Sequence, residues 1–135
     1  MRRPIAFLCL PLSALLLSAC GNTVSTAAFK GTQHEVAQTI ANLQSDATTA
    51  EEKKICADDL ASAVVTRLGG TKGCEKAIKN QLTEITNLEV RVESVKVASG
   101  ATTATAAVRS VHEGKSKAGT LSLVKEGRKW KISGL

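Results

Sequence analysis

The side chains of this 135-residue chain able to form covalent bonds, ligate metal or move protons are four cysteines, two histidines and scattered carboxylates. Cys9 and Cys20 lie in the first apolar stretch, whereas Cys56 and Cys74 lie within the body of the chain. With His34 and His112 the latter two make a set of four ligand types, but no Cys-x-x-Cys or His-x-x-x-His spacing accompanies them, so a zinc centre is not expected. His112 beside Glu113 is the one candidate general base; it stands at a strand end next to Gly114, where a solvated imidazole is expected. His34 falls in the first turn of a helix and is expected to be exposed. Asp58 and Asp59 are adjacent, and neighbours on a helix point about 100° apart, so they should not converge on a cation but share a solvated face. The expectation is a non-catalytic chain with no cofactor and no metal.

Arg2 and Arg3 precede an apolar run from Pro4 to Leu17, which is interrupted by Ser13 and Pro11. A membrane span needs about 20 apolar residues. A charged start, a short apolar core and small residues before a cleavage point describe a secretory signal instead. Leu17-Ser18-Ala19-Cys20 resembles the lipobox of bacterial lipoproteins, in which the cysteine thiol receives a diacylglyceryl group before the chain is cut ahead of it. Ordinary cleavage after Ala19 is the alternative and leaves a thiol. A single acyl chain holds a protein marginally, at about 0.8 kcal/mol per buried methylene, and two chains hold it stably. The expected organisation is a signal in residues 1–19, a lipidated Cys20 with a small polar tether over 20–32, and one domain over 33–135. In an exported chain Cys56 and Cys74 are expected to pair as a disulfide, which for a closed loop of this size is worth roughly 3 kcal/mol.

Loss of Arg2 and Arg3 with the signal lowers the formal charge from +6 to +4. That surplus suits an anionic lipid or polymer and is also ordinary for a soluble domain. Phe29 and Trp130 are the aromatics left, and there is no tyrosine. Single-stranded nucleic-acid sites are built on aromatic platforms, so with an exported location no nucleic-acid partner is expected. Lys125, Arg128, Lys129 and Lys131 form the most suggestive polar cluster, a candidate contact for an anionic polymer or head group. Its plainer reading is a solvated outer face, since edge lysines also discourage strand pairing. Trp130 is expected to anchor the core.

The elements that must position these residues follow from periodicity. Thr32 to Glu35 has the capping-box spacing, and Val36, Ile40, Leu43 and Ala47 recur at helical intervals, predicting a helix from Gln33 to Ser45. Thr49 to Glu52 repeats the signature. A second helix should carry Cys56, Leu60, Val64 and Leu68 on one stripe and stop at Gly69-Gly70. A third opens near Thr71 and presents Cys74, Ile78, Leu82 and Ile85. After Asn87 the period becomes two. Leu88, Val90 and Val92 share one parity and Val95 and Val97 the other, so a bulge is predicted at Glu93-Ser94. Turns at Ser99-Gly100, Glu113-Gly114 and Glu126-Gly127 separate four strands. Helices followed by an antiparallel sheet make an α+β domain.

That order, with the ending LVKEGRKWKI (Leu123 to Ile132), the stretch DLASAVVTRLGG behind Cys56 and GCEKAI at Gly73 to Ile78, resembles the NTF2-like superfamily, in particular its small exported actinobacterial-type lipoproteins. The resemblance implies three helices and a curved four-stranded sheet closing a cone around an apolar cavity. The cavity would be lined by Leu88, Val90, Ala104, Ala106, Val108, Leu121, Leu123, Trp130 and Ile132. Family enzymes need a carboxylate or carboxylate–histidine pair in that cavity, and none stands at these positions. The function expected is therefore binding of a small apolar molecule or lipid by an envelope protein held to the membrane through Cys20. The alternatives are an envelope interaction or scaffold module with a protein partner, and a weak cavity enzyme of isomerase or cyclase type.

Overall fold

The computed structural model describes residues 25–84 and 89–134. The expected signal, Cys20 with its expected lipid, and Ile85 and Leu88 lie outside the described residues.

Helix α1 (Thr32–Thr48) presses Val36, Ala37 and Ile40 into the core, each no more than 1% exposed. It runs three residues further than Ser45, because the Thr48 and Thr49 hydroxyls donate back to the carbonyls of Gln44 and Ser45. Neither expected capping box forms. Gly31, at φ 59°, stands at the N-cap, and its carbonyl takes the amides of His34 and Glu35. The Glu35 carboxylate instead accepts the indole N–H of Trp130 at 3.3 Å. A tertiary partner has outcompeted the local one.

The expected second helix is broken. Helix α2 (Glu52–Lys54) widens into a π-helical turn over Ile55–Asp59, closed by the Leu60 amide on the Ile55 carbonyl. Leu60 then turns extended and bridges Ile132 in parallel, while the Ala61 amide donates to the Ile132 carbonyl at 2.8 Å. The free edge of the last strand thus takes the chain out of its helix, because those edge groups need partners. Helix α3 (Ser62–Arg67) restarts beyond the break. The Cys56–Leu60–Val64–Leu68 stripe is split accordingly: Cys56 is buried and Leu68 faces solvent.

Helix α4 (Gly70–Glu84) buries Cys74 completely. Cys56 and Cys74 form a disulfide with a Cα–Cα distance of 6.1 Å, joining the π-helical turn to α4. Gly73 makes the tight approach possible, since a Cβ there would stand 2.2 Å from the Leu68 carbonyl oxygen.

Strands β1 (Glu89–Val97), β2 (Thr103–His112), β3 (Lys115–Glu126) and β4 (Lys129–Gly134) form an open antiparallel meander in the order β1-β2-β3-β4. The β1–β2 register slips between Val92 and Ser94, leaving Glu93 unpaired, at the predicted bulge. The slip is what lets Val90 and Val92 join Val95 and Val97 against the core, where the α1 face covers the sheet. The molecule is an α+β domain whose four helices precede a four-stranded sheet.

Candidate functional site

Two concavities flank the core. The larger, about 610 Å³, lies where the row Val97–Ala104–Leu123 crosses the sheet and the segment Ala61–Ala63 runs beside it. It is bordered by Ala63, Val97, Ala98 and Val124, by Lys96 and Glu126, and by Thr103, Thr105, Ser122 and Ser133, while Ala61, Ala104 and Leu123, no more than 4% exposed, form its floor. Small side chains are frequent around it: four of the lining residues are alanines, at positions 61, 63, 98 and 104. At its β3 end the Glu126 carboxylate accepts the Ser62 amide at 2.8 Å and the Ser62 hydroxyl at 2.9 Å, capping α3 across 64 residues of sequence. These two bonds hold the Glu126 carboxyl below its ordinary range.

Of the residues expected to line a cavity, Ala104 and Leu123 line this pocket. Ala106, Val108, Leu121, Trp130 and Ile132 are buried in the common core, and Val90 packs half-buried against it. The side chains of Val36, Ala37 and Ile40 fill the space in front of them. Ala61, Ala63, Val97 and Val124 complete the pocket without having been singled out from the sequence. The break at Leu60, which puts Ala61 there, leaves no mark in the residue pattern.

The smaller concavity, about 370 Å³, lies between α1 and β4 and is polar, with His34, Glu35, Asp58, Asp59, Arg128 and Lys129 around Trp130. The basic residues of the C-terminal cluster have different surroundings. The Lys125 ammonium stands over the Trp130 ring, 5.8 Å from its centroid. Lys129 pairs with Asp58 at 3.6 Å, Lys131 donates to the Ala57 carbonyl at 2.6 Å, and Arg128 lines the concavity. Three of the four ammonium or guanidinium groups thus have a recorded partner: the Trp130 ring, Asp58 and the Ala57 carbonyl.

Asp58 and Asp59 also part, and here the expectation of a shared solvated face is corrected. Asp58 is exposed, but Asp59 is 3% exposed, and its Oδ2 has no hydrogen-bonding partner among the described residues. The wide π-helical turn rotates Asp59 inward, toward Asp46 of α1. Burial first, then the neighbouring Asp46 carboxyl, push Asp59 up to about 7; Lys131 opposes the shift. His34 is exposed, 3.2 Å from the Thr26 carbonyl, and His112 is half-buried at the end of β2. Among the described residues no three metal-ligating side chains come together.

The chain matches no family model and no curated protein sequence. Among the described residues no helix is long and apolar enough to cross a membrane. The chemistry open to the larger pocket is recognition through alkyl contact and hydroxyl hydrogen bonds. The smaller one holds one ion pair, Lys129–Asp58, beside the Glu35–Trp130 hydrogen bond and the buried Asp59 carboxyl.

Proposed function

We propose that this chain is an exported, lipid-anchored envelope protein whose NTF2-like domain binds a small apolar molecule without transforming it. The observation that carries the reading is the concavity of about 610 Å³ beside α3, bordered by small alkyl and hydroxyl side chains. Its size falls within the about 300–1,000 Å³ typical of small-molecule sites. The α1 side chains fill the centre of the sheet's inner face, so the binding space is displaced toward the α3 end. Anchoring through Cys20 would hold that space beside a membrane, where apolar ligands are concentrated.

Native mass spectrometry of the full protein, extracted gently from its host membrane, tests this directly. A reproducible mass beyond the lipidated chain, released on denaturation, is the expected result. Ala63→Trp, an exposed position on the pocket wall, should abolish that extra mass and leave the thermal midpoint within a few degrees. A bound mass unchanged by this substitution would place the ligand elsewhere.

An interaction module is the second reading, favoured by one feature. The first six residues of β3, Lys115–Thr120, are exposed and have no β4 partner, so that edge is open to strand addition among the described residues. Site-specific crosslinking from Lys117 in intact envelopes would reveal such a partner.

A further inference from the structure

The π-helical turn Ile55–Asp59 is where the helical half of the molecule is fastened to the rest. Cys56 ties it to α4 through the disulfide, and the Lys131 ammonium of β4 donates to the Ala57 carbonyl at 2.6 Å. Leu60 and Ala61 follow directly and sit on the edge of β4, through the bridge to Ile132 and the Ala61 amide on its carbonyl. Asp59, the last residue of the turn, is thus one step from the bonds that take the chain out of its helix.

A carboxyl is poorly suited to that place. Asp59 is 3% exposed, its Oδ2 receives no donor among the described residues, and the side chain it meets from α1 is another carboxyl, that of Asp46. Two carboxylates only accept hydrogen bonds, so they cannot satisfy each other. With one proton between them, one donates and the other accepts, and one buried charge is removed. The surrounding charges offer no better partner. Asp58, in the same turn, is itself acidic and is paired with Lys129. Lys54 of α2 is bound to Glu51 at 2.6 Å, and Lys131 is spent on the Ala57 carbonyl. His34, Glu35 and Arg128 stand around the smaller concavity that Asp59 also borders, and α4 meets the turn through the disulfide. Burial and Asp46 together hold the Asp59 proton up to about 7.

We infer that Asp46 and Asp59 share one proton across the contact between α1 and the π-helical turn, and that its loss to solvent loosens Leu60 and Ala61 from the edge of β4. In the loosened state both carboxylates face water, where an aspartate titrates near 3.9. The latch is therefore firmest in acid and weakens as the pH rises from about 4 to about 7, above which both states are ionised and nothing further is lost. The disulfide keeps the turn on α4, so the opening is confined to the segment leading into α3. Ala61 and Ala63 border the larger concavity, so the same step reshapes that side of it, whatever the concavity binds.

Hydrogen exchange of the full chain in detergent micelles, corrected for intrinsic rates and read by mass spectrometry, tests this. The peptide spanning 55–63 is compared with one spanning 36–43 of α1. Protection of 55–63 relative to α1 should fall at least about thirtyfold between pH 5 and 7, and less than about threefold between pH 7 and 8.5. Asp59→Asn and Asp46→Asn should each abolish most of that fall, since an amide supplies the missing donor without a titrating proton. Asp58→Asn, the exposed neighbour, should leave it unchanged. A fall that persists in both the Asp59→Asn and Asp46→Asn proteins would overturn the shared proton. Equal loss of protection in 55–63 and in α1, or none in either, would overturn the latch.

Discussion

Asp59 shows how one side chain can be set by packing alone. Its carboxyl is turned inward beside Asp46, and desolvation together with that neighbour raises its pKa to about 7. In the unfolded chain an aspartate titrates near 3.9. Between these values the folded protein holds a proton that the unfolded chain releases. The resulting stability is fully present below about 4 and is lost as the pH rises through about 7. Asp58 and Asp46 add negative charge to the site, and Lys131 is the cation that moderates it. Asp59→Asn keeps the shape without the titration. It should stabilise the protein at pH 8 by on the order of 2 kcal/mol and flatten the fall in stability between pH 5 and 8. Urea denaturation at both pH values measures this, and parallel pH slopes for the two proteins would contradict the assignment.

Among the elements, α3 depends most on distant residues. It is six residues long, too short to persist alone. Its first turn is capped by Glu126 from the end of β3, and its last turn reaches β4 through Arg67, whose guanidinium donates to the Ser133 carbonyl. Glu126→Ala should cost about 1 kcal/mol, as the loss of a helix cap does, and should speed amide exchange in α3 before any other helix. The carboxyl is held below its ordinary range, so the cap contributes above that range and is lost as the pH falls through the lowered value. Unchanged α3 exchange in Glu126→Ala would show that the cap is not what orders it. The α3–α4 corner is similarly exacting. A methyl at Gly73 would collide with the backbone oxygen of Leu68, so Gly73→Ala should cost about 2 kcal/mol through overpacking. A thermal midpoint equal to that of the parent protein would mean the corner relaxes freely.

At the scale of the whole molecule, the disulfide and the β4 edge hold the helical half to the sheet. Cys56–Cys74 joins the π-helical turn to α4, and the bridge at Leu60 and Ala61 joins the same turn to β4. Replacing both cysteines with alanine should cost roughly 3 kcal/mol in the chain-entropy account. The loss should be greatest in α4, whose buried cysteine is its deepest anchor. In the protein isolated from its host both cysteines should resist thiol reagents until reduced. Ready labelling of either without reductant would show that the bridge does not form in the cell.

Local periodicity was enough to read helices before strands, the four strands, the three glycine-bearing turns and the bulge at Glu93, but it gave three helices where there are four. Each rests on neighbours only a few residues apart: a bulge, for instance, is the one way to put Val90, Val92, Val95 and Val97 on the same face. The cysteine pairing was legible because both cysteines sit on apolar helical faces. The break at Leu60 was not legible, since the Cys56–Leu60–Val64–Leu68 spacing is that of an unbroken helix. Only the unpaired edge of β4, reached from more than 70 residues away, gives Leu60 a better partner than the helix does. The pocket shares that origin. Alanine at positions 61, 63, 98 and 104 is unremarkable as sequence and borders a concavity only when the broken helix is laid beside the sheet. The burial of Asp59 follows from the same turn. Side-chain period reports which face a residue occupies within its own element; which elements meet is decided by hydrogen-bonding edges and packing surfaces far apart in the chain.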